Sequence, residues 1–380
     1  MKDFRYLYYL TKVEGLGSVR IKRLIEKFGS AENVFSAGIA ELAETDNISI
    51  KLAGTILQSQ VNFVDLTIEY DELLKNLDKH GAGIITYEDD DYPYLLKKTY
   101  DPPVILYSRG NISSSSFNNC IAIVGTRKPS DYGKKIAEAF ADELANIGFN
   151  IVSGFARGID SYVHKAVLDR KSRQGTTTAV FGCGIDIIYP PENKKLYEKM
   201  CEEGIILSEY DIAAIPDAIN FPKRNRIISG LSYGTIIVES GIGGGAMITA
   251  RFALDQSREV FAVPGFITNK NSEGPNSLIK SGQAKLVGNI NDILEEIKNE
   301  LNGISFNGNV KEKNQVMPEL QGNEKLIYNI IASGKDALHI DNISENSGLN
   351  ISDCLVTLLN LEFKGLMEQL PGKRFKVSAP

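Results

Sequence analysis

At 380 residues with 43% hydrophobic content, the chain is too long for one ordinary core and predicts two or three globular domains. Its first residues, MKDFRYLYYLTKVEG, carry charges throughout and lack the apolar run of a signal peptide. No charge-free apolar stretch reaches the ~20 residues of a membrane span, so a cytoplasmic protein with no membrane contact is expected. Cys120, Cys183, Cys201 and Cys354 form no CxxC pair and only His80, His164 and His339 are present, so no disulfide framework and no metal site are expected. The formal net charge of −6 is unevenly spread: residues 121–270 hold 18 basic and 17 acidic side chains, against 24 and 31 elsewhere. A relatively basic middle between acidic ends is compatible with a nucleic acid, a nucleotide or a solvated surface.

In chain order, residues 1–62 read as short helices. KVEGLGSVRIKRLIEKFGS places a Gly-Leu-Gly turn before Val19, Ile21, Leu24, Ile25 and Phe28 at near-helical spacing. Residues 63–120 combine a helix, VDLTIEYDELLKNL, with a turn-rich segment and read as a lead-in packing on the next domain. From 121 to 300 the pattern changes to IAIVG, NIVSG, TTAVFG, IILSEY, TIIVES, EVFAVPG and AKLVG, short apolar runs separated by helix-length segments. Runs apolar throughout suit parallel strands buried on both faces, so the prediction is an α/β, Rossmann-like, doubly wound and mostly parallel sheet. Residues 301–321, rich in Asn and charge, read as a linker, and 322–380 as a winged helix with a terminal hairpin.

Ligands of parallel sheets bind beyond the carboxyl ends of the strands. The loops there hold Gly125, Thr126, Arg127 and Lys128; Ser153, Gly154 and Arg157; and FPKRNR, with Lys223, Arg224, Asn225 and Arg226 near a helix start. Glycines at 125, 154, 182 and 243–245, including Gly244, let backbone N–H groups approach an oxyanion, and Arg127, Arg157, Arg224 and Arg226 suit several phosphates along a strand. GIGGGAMITAR lacks the lysine of a P-loop and no GxGxxG opens the first helix, so neither ATP nor NAD chemistry is expected and no cofactor is implied. Phe155, Tyr189 and Phe221 lie in the same loops as candidate base-stacking or core residues. His164 falls one helical turn after Asp160 and suggests a local structural pair; Glu209 and Glu239, at strand ends, read as candidate acids or as anchors of a loop or helix start.

The motifs IAIVGTRKPSDYG, IVSGFARGID, GCGIDIIYPPEN, FPKRNRIISGLS, VFAVPG and GPNSLIKSGQAKLV, in this order over about residues 81–288, resemble the bacterial DNA-processing protein A family, also called DprA or Smf. The N-terminal module resembles that family's helix-hairpin-helix or SAM-like domain, and residues 322–380 its winged helix. The resemblance implies a non-enzymatic homodimer that binds and protects single-stranded DNA and helps load RecA recombinase onto it during DNA uptake, natural transformation and homologous recombination. It also implies a DNA pocket involving Arg127, Ser153, Arg157, Arg224, Asn225 and Arg226. The stretch SEYDIAAIPDAINFP and the GGGAMITA helix start depart from the family pattern and leave loop shape there open.

A rival reading is a Rossmann-like nucleotide phosphoribohydrolase similar to the cytokinin-activating enzymes. Those carry PGGxGTxxE, whose catalytic glutamate is missing from ESGIGGGAMITAR. In the winged helix, NISDCLVTLLNLEFK carries Asp353 and Glu362 against Lys364, a poor surface for a polyanion, so contact with protein or only weak contact with DNA is expected there.

Overall fold

The computed structural model describes residues 4–113, 115–170, 174–298, 301, 320, 322–332, 337–363, 366–370 and 372–377. The expected linker at 301–321 therefore lies outside the described residues apart from 301 and 320, as does Lys364. The chain divides into two compact units, Met1–Ile304 and Ser305–Pro380.

The first unit opens with five short helices, α1 (Arg5–Thr11), α2 (Ser18–Phe28), α3 (Ala31–Ser36), α4 (Ile39–Ala43) and α5 (Ile50–Gln58). Ile21, Leu24 and Ile25 share one face of α2 and are buried by it, as their spacing predicts. The longer α6 (Phe63–Lys79) packs against this module, where the hydroxyls of Tyr9 and Thr67 lie 2.7 Å apart. Arg20, Lys22 and Arg23, cations near the Gly-Leu-Gly turn, donate to the backbone carbonyls of Asn47, Thr99 and Asp46.

The lead-in segment contributes to the sheet itself, through β1 (Ala82–Thr86) and β2 (Ile105–Gly110), with the short α7 (Tyr94–Lys97) between them. The central elements follow as β3 (Cys120–Val124), α8 (Asp131–Asn146), β4 (Asn150–Ser153), α9 (Ile159–Leu168), β5 (Thr176–Phe181), α10 (Lys194–Glu203) and β6 (Ile205–Ser208). The second half runs α11 (Asn220–Gly230), β7 (Gly234–Ile237), α12 (Gly245–Asp255), β8 (Glu259–Ala262), α13 (Glu273–Lys280), β9 (Lys285–Leu286) and α14 (Ile290–Ile297). All seven predicted runs are strands. They form one parallel array within a nine-stranded sheet of order β1-β2-β6-β5-β4-β3-β7-β8-β9, while β1 and β2 are antiparallel additions beyond β6.

Both faces of this sheet are buried, which is why the strands read as continuous apolar runs. Cys120, Ala122 and Val124 of β3 join one core with Ile227 of α11 and Ala250 of α12, whereas Ile121 and Ile123 join the opposite core with Phe140 of α8 and Val163 of α9. Each fully buried Ile or Val there contributes about 1.5–3 kcal/mol relative to exposure. Strand order reverses between β3 and β7, and this switch point, where the following loops diverge to opposite faces, opens a crevice beyond the strand ends.

The second unit comprises α15 (Asn323–Ala332), β10 (Leu338–His339), α16 (Ile340–Ser347), α17 (Ile351–Phe363), β11 (Met367–Leu370) and β12 (Arg374–Val377). Its three strands pair antiparallel in the order β10-β12-β11 around Ile327, Ile343, Leu358, Leu361 and Phe375, a winged helix ending in the expected hairpin. On α17, Ile351, Leu355, Val356 and Leu359 remain 40 to 62% exposed.

Candidate nucleic-acid interface

A cleft of about 680 Å³ occupies the switch point. Its walls come from the loop after β3, the loop after β4, the first turns of α11 and α12, and the 209–219 stretch, which supplies Pro216 and Ala218 to one lip.

The loop after β3 is held from both sides. Thr126 donates its N–H to Glu239 O at 2.7 Å and accepts at its own carbonyl from Ile159 N at 3.2 Å. Gly158, at φ +78°, makes the second contact possible, because a Cβ there would collide with the Thr126 carbonyl oxygen. Ser130 caps α8 and gives both its N–H and its hydroxyl to the Glu239 carboxylate, at 2.9 and 2.5 Å. Glu239 is thus the anchor of a helix start. Gly125 and Thr126 line the cleft, with Arg127 and Lys128 exposed at its edge.

The loop after β4 distributes its residues differently. Ser153 is fully buried and donates to Ile123 O at 2.7 Å, so its hydroxyl belongs to the sheet and not to the cleft. Gly154 accepts at its carbonyl from Arg224 Nη1 at 2.8 Å. Phe155 is core. Arg157 is exposed and pairs with Glu192, its Nη2 standing 3.0 Å from Oε2. It borders a smaller recess beside the main cleft, shared with Arg127, Tyr189 and Phe221.

Helix α11 sends its cations in opposite directions. Residues two apart on a helix diverge by about 200°. Arg224, only 4% exposed, lines the cleft, where burial pulls its guanidinium down to about 10 while Asp160 pulls it back up, leaving it cationic at neutral pH. Arg226 faces away: its Nη1 and Nη2 bind Glu209 at 3.1 and 2.6 Å, and its Nε binds Asp101 at 2.8 Å. The sequence groups Arg226 with the phosphate-binding arginines, but the structure does not bring it to the cleft. Lys223 is exposed, and Asn225 lines the cleft with its amide 3.4 Å from Gly245 O. Helix α12 begins at Gly245 with Gly244 at its N-cap and no side chain capping it, so its first turn offers N–H groups at the positive end of the helix dipole.

Three contacts are set by the tertiary structure and not by local sequence. Tyr189 and Phe221 stack on each other at 5.3 Å and together line the cleft. Asn271, remote in sequence, donates to Lys128 O at 3.0 Å and also lines it, a placement without a local signal. His164 pairs with Thr177 at 2.7 Å, not with Asp160 as its spacing suggests. Among the described residues no group of three His, Cys, Asp or Glu is placed to hold a metal ion, and no helix is long and apolar enough to cross a membrane.

Comparison with known proteins follows the same divisions. The family model described as DNA recombination-mediator protein A matches residues 83–298, a DprA winged helix domain matches 311–373, and a SAM-like helix-hairpin-helix tandem matches 7–59. The chain is 31% identical over 405 residues to the protein Smf of Synechocystis, covering 99% of this chain and all of that one. The X-ray structure of DNA processing protein A from Streptococcus pneumoniae is similar at 34% identity and a TM-score of 0.64, covering 78% of this chain and 99% of that one. A structure of DNA processing protein A from Helicobacter pylori, described for its single-stranded DNA binding mode, is similar at 30% identity and a TM-score of 0.52, covering 58% and 97%. With the motifs, the sheet and its crevice, and a family model spanning more than half of the chain all in agreement, this protein belongs to the DNA recombination-mediator protein A family, DprA or Smf.

Proposed function

We propose that the switch-point cleft binds single-stranded DNA through its phosphates, protects the strand, and delivers it to RecA recombinase, without chemistry of its own. One observation carries the reading: Arg127 and Lys128 stand exposed at the edge of a cleft floored by the cationic Arg224, and neither has a carboxylate partner among the described residues. A strand crossing the mouth would meet these cations and the uncapped start of α12, while unpaired bases could rest on the Tyr189 and Phe221 pair. The single-strand binding described for the Helicobacter relative supports the choice of ligand, and the family's description as a recombination mediator supports delivery to a recombinase. The same reading places the protein in the cytoplasm, where the recombinase acts, as a homodimer formed through the Rossmann-like domain.

The phosphoribohydrolase alternative gains nothing from the cleft. Glu239, the carboxylate nearest the glycine turn in sequence, has both oxygens engaged by Ser130.

The test is anisotropy with fluorescent oligo-dT at several salt concentrations. Arg127→Ala/Lys128→Ala should bind more weakly whatever the sequence, with the slope of log K against log salt flattened by about 0.7 for each phosphate that is no longer neutralised. Unchanged affinity and slope would move the DNA elsewhere. Arg157→Ala should act less, because Arg157 already shares its charge with Glu192.

The winged helix carries its own expectation. Exposed apolar residues occupy α17 where a DNA reader would present cations, so protein is its proposed partner. Lys373→Ala/Lys376→Ala should leave oligo-dT affinity within about twofold, and a tenfold loss would instead put DNA on the wing.

A further inference from the structure

A carboxylate stands on the floor of a cleft meant for an anion. Asp160, in the first turn of α9, is only 7% exposed, lines the cleft, and accepts from Ala156 N at 3.2 Å. It faces Arg224 across Gly154: a Cβ added at Gly154 would lie 2.8 Å from Asp160 Oδ2 and 2.8 Å from Arg224 Nη2 alike. Only a residue without a side chain lets the two charges approach over that backbone. Among the described residues they form no contact ion pair: Arg224 gives Nη1 to Gly154 O and Nε to Asn225 Oδ1 at 3.3 Å, and Asp160 takes none of its donors. What it removes is charge. A carboxylate on the cleft floor opposes a phosphate seated above it by like-charge repulsion, which burial screens less than open water does.

We infer that Asp160 sets the strength of the DNA site: its carboxylate offsets the Arg224 charge, leaving the cleft floor close to neutral, so that the strand is held mainly by the exposed cations at the mouth and can be released. This rests on the reading of the cleft as a single-strand site. It gives a structural reason for a cleft that both holds DNA and surrenders it, since a strand seated on an unopposed buried arginine would leave slowly. Asp160 acts here as an affinity-determining residue that also positions the 154–158 turn.

Asp160→Asn separates the two roles. The amide oxygen can still accept from Ala156 N–H while the charge is gone. The variant should bind oligo-dT about tenfold more tightly, dissociate more slowly, and show a salt slope steeper by up to about 0.7, the signature of one more phosphate neutralised. Asp160→Glu, which keeps the charge, should show no tightening. If the asparagine variant fails to fold, Asp160→Ser removes the same charge and carries the test. Unchanged or weaker binding by a folded, uncharged variant, or tightening by the glutamate variant, overturns the inference. Its failure is distinct from failure of the DNA site: there, wild type and Arg127→Ala/Lys128→Ala would already be indistinguishable on oligo-dT.

Discussion

Arg226→Ala is expected to damage the fold and spare the proposed DNA site. The guanidinium is bidentate on Glu209 and bonded to Asp101, in a site where the arginine side chain is 11% and that of Glu209 18% exposed. Removing one member of a buried, hydrogen-bonded ion cluster leaves the others desolvated without a counter-charge, which costs about 3–5 kcal/mol. Asp101, at the edge of the cluster, can recover water, so most of that cost falls on Glu209. Urea unfolding should show the loss, while oligo-dT affinity measured where the variant is still folded should change by less than about threefold. Arg226→Lys should recover only part of the stability, because an ammonium cannot reproduce the planar fork. Arg127→Ala should behave in the opposite way, with stability within about 0.5 kcal/mol of wild type and DNA binding impaired. Normal stability with abolished DNA binding in Arg226→Ala would restore this arginine to the phosphate site.

The second large effect concerns acid stability. His164 is fully buried in α9, and Thr177 gives its one hydroxyl proton to Ile151 O at 2.8 Å, so His164 Nδ1 must donate to Thr177 and Nε2 carries the lone pair. Nε2 is buried without a hydrogen-bond partner, so a proton placed there would be stranded. Burial, reinforced by the positive charge of Arg224, lowers the imidazole from its ordinary 6.5 to about 3. The unfolded chain takes up this proton below about pH 6.5 and the folded one does not until about pH 3, so stability present at neutral pH is lost as the pH falls through that window. Between pH 6 and 4 the loss due to His164 should reach about 2–3 kcal/mol. His164→Leu should abolish that part of the slope, so that the variant loses less stability than wild type over the interval. Other groups, the buried Asp160 among them, titrate in both proteins and cancel in the comparison. Parallel pH profiles would show that His164 reaches a solvated, protonated state in the native protein.

The contrast between these residues marks how far local pattern reaches. Seven parallel strands were legible because strands buried on both faces need apolar side chains at every position, and helices α2 and α6 because one buried face repeats every three or four residues. The loops that could meet an anion followed from the same strands, since a parallel sheet gathers its strand ends on one edge. β1 and β2 were not legible as members of that sheet. They are short, separated by a turn-rich stretch, and joined to it by antiparallel pairing with β6, a partner about 100 residues away.

Within the site, the amino-acid sequence by itself determined the supply of cations and glycines beyond β3, β4 and β6 and the uncapped glycine start of α12. Only the tertiary structure decided how they were used. Arg224 and Arg226 are near neighbours with the same side chain, yet one floors the cleft beside Asp160 and the other is consumed by Glu209 and Asp101. Helical geometry alone requires that they diverge. Which of them reaches the cleft was settled by carboxylates from other segments of the chain, because a buried charge goes where its partner is, and partners brought together by folding leave no mark on local spacing.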